Sequence, residues 1–90
     1  MFILTILGKE TEGAYSVADE EGKDILYIFE EKDDASRYAM MLEDSGSPEM
    51  HVIEVDDKAM IEACVMHDYS YTIITPNDIV IPPDTEHDFI

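Results

Sequence analysis

At about residue 30 the chain changes its hydrophobic period, and that change limits the folds open to it. Residues 25–29, ILYIF, are a continuous apolar and aromatic run, the pattern of a strand covered on both faces. From residue 35 the apolar positions are Ala35, Tyr38, Ala39 and Leu42, spaced i, i+3, i+4 and i+7. That is one face of an amphipathic helix. A strand that runs directly into a helix within 90 residues points to a mixed fold rather than an all-α or all-β one.

The flanking segments extend the pattern. FILTIL (2–7) is a second continuous apolar run, and AYSVA (14–18) alternates, with Tyr15 and Val17 on one face. Between AYSVA and ILYIF lies DEEGKD, whose Gly22 can take the positive φ that a tight turn requires. The two runs therefore predict a β-hairpin. MHVIEV (50–55) reads as a strand. Asp56 or Asp57 then caps a helix over 58–67, with Ile61, Cys64 and Val65 as its buried stripe. YSYTIIT (69–75) is a last long strand, and PNDIVIPP adds a turn and a short extended piece. The expected fold is α+β: a single mixed or mostly antiparallel sheet of about five strands with two helices on one face. This is a ferredoxin-like type of sandwich in the order β-β-β-α-β-α-β. Residues 1–84 form the domain and residues 85–90 a flexible acidic tail.

The ends of the first helix are legible. Asp33 or Asp34 caps its start, and Arg37 stands at ion-pair spacing from both. Gly46 suits the residue just past its end, and Pro48 prevents continuation. Glu43 and Asp44 are the exception, because they place negative charge at the negative end of the helix dipole.

Charge excludes several functions. Twenty-two Asp and Glu stand against five Lys and Arg, for a formal charge of −17. Phosphate binding is built on Lys and Arg, and nothing basic follows Lys58, so direct nucleic-acid binding is not expected. The glycines at 8, 13, 22 and 46 form no phosphate loop. The single cysteine, Cys64, allows no intrachain disulfide, which suits a reducing cytoplasm. The opening MFILTILG is too short for a membrane span and lacks the basic start of a signal peptide.

No cofactor, metal site or catalytic set is expected. Cys64 and His67 stand i, i+3 on one helix beside Asp68, which is half of a metal or activated-thiol site. Free cysteine on a core stripe is the commoner reading. The adjacent acids Glu20–Glu21, Glu30–Glu31, Asp33–Asp34 and Asp56–Asp57 read as solvated surface, without the pocket that acid–base work needs. What remains is contact surface. The sheet face away from the helices is expected to carry some of Tyr15, Tyr27, Tyr69 and Tyr71, with Tyr15, Tyr27 and Tyr71 as the contact residues for a protein partner or a second copy of the chain. Met41, Glu43 and Asp44 form a second contact region at the end of the first helix.

The stretch FEEKDDASRYAMMLEDSGSP resembles a small uncharacterised family found in cyanobacteria, their phages and plastids. Phe29, Glu30, Asp33, Asp34, Ala35, Arg37, Tyr38, Ala39, Leu42 and Pro48 carry the resemblance, with Cys64 and Pro82–Pro83 as further matches. It spans roughly residues 2–84 and departs at EDSGSP, where the family carries a Gln and an aromatic before the proline. It implies a cyanobacterial or phage-infected cytosol, or a chloroplast stroma, and no activity.

Taken together, the residues favour a non-enzymatic protein-binding module whose partner has a basic surface, with no membrane and no direct nucleic acid. One alternative is an acidic nucleic-acid mimic that inhibits a host DNA-binding protein. Another is a small metal or thiol enzyme built on Cys64 and His67. Like charges this dense repel across a small domain within a Debye length of about 10 Å at 0.1 M salt. The midpoint of thermal unfolding should therefore rise between low salt and 0.5 M NaCl, and rise further with a divalent cation. A midpoint unmoved by salt would show that self-repulsion is not felt in the fold.

Overall fold

The computed structural model describes residues 1–9, 13–78 and 87–89, the last three as backbone. Its elements are β1 (Phe2–Ile6), β2 (Tyr15–Ala18), β3 (Asp24–Phe29), α1 (Lys32–Asp44), β4 (Met50–Glu54), α2 (Asp57–Met66), β5 (Ser70–Ile74) and β6 (His87–Phe89). The α+β class and the order β-β-β-α-β-α-β are those the sequence predicts. The extended piece expected before Pro82–Pro83 lies outside the described residues. Within the stretch read as a tail, β6 pairs antiparallel with β2, with Tyr15 opposite Phe89.

One mixed sheet holds every described strand. β3 pairs in parallel with β5, from Ile25 opposite Ser70 to Phe29 opposite Ile74. The opposite edge of β3 is shared. β2 takes its first half in the hairpin, and β1 meets its end at Phe2 and Phe29. β4 runs antiparallel along all of β1. The hairpin turn is closed by Asp19, whose side chain accepts from the amides of Glu21 (2.9 Å) and Lys23 (2.8 Å), with Gly22 at φ +82°.

The sequence reading puts both helices on one face, whereas the structure puts them on opposite faces. Leu4, Tyr15, Phe29, Met50 and Ile74 pack with Ala35, Tyr38, Ala39 and Leu42 of α1. Ile3, Ala14, Leu26 and Ile28 pack with Cys64 of α2. Chain path supplies the reason. β4 is antiparallel to β1, and β1 to β3, so β3, β4 and β5 all run the same way. α1 crosses from β3 outward past β1 to β4, and α2 crosses back to β5 on the far side of β3. Parallel crossovers are right-handed almost without exception. Two such crossovers taken in opposite directions along a sheet must lie on its two faces.

α1 buries the four residues that its period predicts, Ala35, Tyr38, Ala39 and Leu42. Its N-cap is Glu31, which makes no side-chain cap, so the expected Asp33 or Asp34 cap is not formed. Those two acids occupy the first turn instead, where they favour the positive end of the dipole. Both helices end alike. Ser47 and Gly46 donate their amides to Leu42 and Glu43, while Tyr69 and Asp68 donate to Cys64 and Val65. This is the Schellman arrangement, whose key residue sits in the left-handed region. Gly46 does so at φ +97°, but the second helix places Asp68 there at +56°. α2 is capped as predicted by Asp56, which accepts from the Ala59 amide at 2.9 Å. It buries Cys64 alone. Ile61 is only partly covered and Val65 is exposed, so the expected three-residue stripe is not formed.

Four aromatic rings join α1 to the sheet. Tyr38 meets Tyr15, Tyr27 and Phe29 at centroid distances of 5.5, 5.8 and 5.4 Å, the first two edge to face. The hydroxyls of Tyr15 and Tyr38 share a buried hydrogen bond of 3.0 Å. Burial pushes the ionisation of Tyr15, Tyr27 and Tyr38 upward, most strongly at Tyr38, where the bond to Tyr15 adds to the effect. Replacing Tyr15→Phe keeps the ring and takes this partner from the buried Tyr38 hydroxyl. A buried hydroxyl that loses its partner costs about 1–3 kcal/mol. Urea unfolding should show that loss with an unchanged denaturant slope. A cost under about 0.5 kcal/mol would mean that the hydroxyl pair adds nothing beyond packing.

Candidate functional site

Two surface features stand out, and they lie at opposite ends of β5. The first is a crevice at the carboxyl ends of the parallel pair. The Glu30 amide continues the ladder past Phe29 by donating to the Ile74 carbonyl at 2.9 Å. There β3 turns into α1, and β5 turns into the loop that follows it. Phe29, Tyr38, Met41 and Ile74 form apolar walls, and Asp34, Arg37 and Asp78 supply the polar lining. The cavity measures about 30 Å³. Asp34 and Arg37 are brought together by their i, i+3 spacing, with Nη1 of Arg37 donating to Oδ1 of Asp34 at 3.1 Å. The other carboxylate oxygen, Oδ2, is buried and has no hydrogen-bond partner among the described residues. Asp78 is fixed by its own turn. Its Oδ2 accepts from the Thr75 amide at 2.8 Å and from the Thr75 hydroxyl at 3.1 Å.

The second feature is an apolar stretch at the junction of α2 and β5. Val65 is 69% exposed and Met66 81%, and Tyr69 and Tyr71 are also open to solvent. The His67 ring stacks on Tyr69 at 5.6 Å. This stretch follows from the incomplete packing of α2. The helix docks through Cys64, and the Schellman turn then carries the chain back to the sheet with the side chains of 65–69 outside. Glu62, Asp68 and Asp78 are the charged side chains between residues 59 and 78, and that segment has no Lys or Arg.

The residues singled out in the sequence separate. Tyr15 has no exposed surface, so it cannot belong to an open contact face. Tyr27 is partly covered and packs in the same α1 cluster. Tyr71 is exposed on the other face, opposite Leu26 in register. The three tyrosines therefore do not share a face, because a helix covers the side on which Tyr15 and Tyr27 lie. Met41 is partly buried and lines the crevice. Glu43 has a structural partner, since its Oε2 accepts from the Met50 amide at 3.2 Å and ties the end of α1 to the start of β4. That bond offsets its position against the helix dipole. Asp44 is exposed, and nothing in the structure explains its choice.

Cys64 and His67 point apart. The thiol is buried among Ile3, Ala14, Leu26 and Ile28, and burial pushes its ionisation upward. His67 is outside. Among the described residues no group of three His, Cys, Asp or Glu is placed to hold a metal ion. No described helix is long and apolar enough to cross a membrane.

Residues 1–84 match a family described as a domain of unknown function (DUF3110). The chain belongs to this family. No curated protein and no solved structure matches it. Of the residues that carry the resemblance seen in the sequence, Phe29, Asp34, Arg37 and Tyr38 line the crevice, and Ala35, Ala39 and Leu42 are core. The crevice is the feature that sequence reasoning missed, because it depends on β5 lying beside β3, and no local pattern encodes that pairing.

A buried, neutral thiol reacts slowly. In native buffer Cys64 should label with a disulfide reagent at a small fraction of its rate in denaturant, timed by opening of α2. Immediate labelling would mean that α2 leaves the sheet freely.

Proposed function

We propose that this chain is a non-enzymatic protein-binding module, acting in a cyanobacterial cytosol, a phage-infected one or a chloroplast stroma. The observation that carries the reading is the exposed apolar stretch Val65, Met66, Tyr69 and Tyr71. Large apolar side chains grouped on a surface, with polar groups around them, are characteristic of contact sites. Tyr and Met are enriched at the centres of interfaces, where a rigid aromatic body or an adaptable thioether supplies contact area.

Charge selects the partner. A second copy of the chain would set −17 against −17. A partner with a basic surface is drawn in by the same field and associates faster at low salt. The setting rests on the resemblance around Ala35, Arg37, Tyr38 and Ala39. The buried, unactivated Cys64 gives a thiol mechanism no support. A nucleic-acid mimic would rely on carboxylate spacing alone and would leave the apolar stretch without a role.

Affinity capture from a cyanobacterial lysate, run beside a Val65→Ser/Met66→Ser/Tyr71→Ser variant, tests the proposal. All three side chains are exposed or half-exposed, so the variant should keep its unfolding midpoint. The wild-type chain should retain a basic protein that the variant retains at least tenfold less, with release on raising the salt. Equal retention by both chains would overturn the reading. Displacement of DNA from the captured protein by wild type and variant alike would favour the mimic.

A further inference from the structure

We infer that the crevice at the carboxyl ends of β3 and β5 is a binding site for a primary ammonium group. This goes beyond the contact surface on α2 and β5 and does not depend on it. The starting point is Asp34 Oδ2, a buried carboxylate oxygen that accepts no hydrogen bond among the described residues. An ionised carboxylate is acceptor-only and presents about four lone-pair sites. Leaving such an oxygen without a donor is costly, so a donor belongs beside it. Arg37 is already engaged at the other oxygen, Oδ1. Asp78 faces the same cavity with its Oδ2 held by Thr75. The polar lining is thus two carboxylates against one guanidinium, which leaves one negative charge uncompensated.

Size and chemistry then select the ligand. A cavity of about 30 Å³ admits one small group at its base. A water needs roughly 10–15 Å³ on this measure. A planar guanidinium is larger, and Arg37 already occupies that role at the rim. Among the described residues no group of three His, Cys, Asp or Glu gathers at the crevice to hold a metal ion. An ammonium brings three donors and one positive charge on a compact head. It would satisfy Asp34 Oδ2, reach Asp78 and neutralise the lining. The walls of Phe29, Met41 and Ile74 would receive an alkyl chain behind it. The position also suits a ligand, since open sheets with parallel strands bind ligands outside the carboxyl ends of those strands.

A small free amine and a lysine side chain share this chemistry, so the test carries both. The full ¹⁵N-labelled chain is titrated at constant ionic strength with methylammonium, with N-acetyl-lysine methylamide and with tetramethylammonium. Saturable amide shifts at Asp34, Arg37 and Asp78 with methylammonium are the expected result. Tighter binding of the lysine derivative assigns the site to a lysine side chain. Binding of methylammonium alone assigns it to a free amine. Tetramethylammonium, which carries the charge but no donor, should leave those amides unmoved. Asp34→Asn should weaken binding at least tenfold, Asp78→Asn should weaken it independently, and Glu54→Gln, a charge loss away from the crevice, should not change it. Unmoved amides, equal shifts with tetramethylammonium (an adventitious ion only), or undiminished binding by both Asn variants would each overturn the proposal.

Discussion

The parallel pairing of β3 with β5 is the constraint on which the other features depend. Parallel neighbours cannot be joined by a hairpin and require a crossover. Here the crossover is made in two stages, through α1 out to β4 and through α2 back again. Opposite directions of travel put one helix on each face, and so both faces of β3 are covered. That explains why ILYIF is apolar without alternation. Leu26 and Ile28 serve α2, and Tyr27 and Phe29 serve α1. The same pairing creates the crevice, because Phe29 and Ile74 end side by side while the chain leaves them on different courses.

The two faces are not equally finished. On the α1 side, four aromatic rings and a buried hydroxyl pair lock the helix in place, and every residue of its predicted stripe is buried. On the other face α2 contributes a single buried residue, Cys64, and the helix ends in a turn that places an aspartate where glycine is easiest. An aspartate tolerates the left-handed region better than most residues, though at some cost. The exposed apolar stretch lies just where this helix is least committed to its own domain. Exposed apolar surface and incomplete packing are here the same feature.

Local patterns carried most of the fold. The hairpin, α1 with its Gly46 ending, the Asp56 cap and the strand at 50–54 all follow from periodicity and turn chemistry. What could not be read were relations between distant segments. Tyr15 and Tyr38 are 23 positions apart, and nothing near either residue shows that their hydroxyls meet. The face assigned to Tyr15 failed for that reason. Alternation shows that side chains alternate, but not which side a helix will cover. Val65 misled in the opposite way. Its spacing fits a helical stripe, but a helix crossing a sheet with one buried anchor has no second layer to receive it. Asp34 was legible as half of an ion pair with Arg37. Its second oxygen became informative only when the fold closed a cavity over it.

The place of β1 has a consequence for how the chain reaches its structure. β1 lies between β3 and β4, and both come later in sequence, with Phe2 opposite Phe29 on one edge and Glu54 on the other. A strand whose partners are made tens of residues later must wait for them, and contacts of long sequence separation make folding slow. During that wait the segment FILTI is a short, uncharged, β-prone run with open edges, the kind of segment through which chains associate wrongly. The acid excess opposes such association. Waiting chains carry the same strong negative charge, repel one another, and so have time to find the pairing within each molecule.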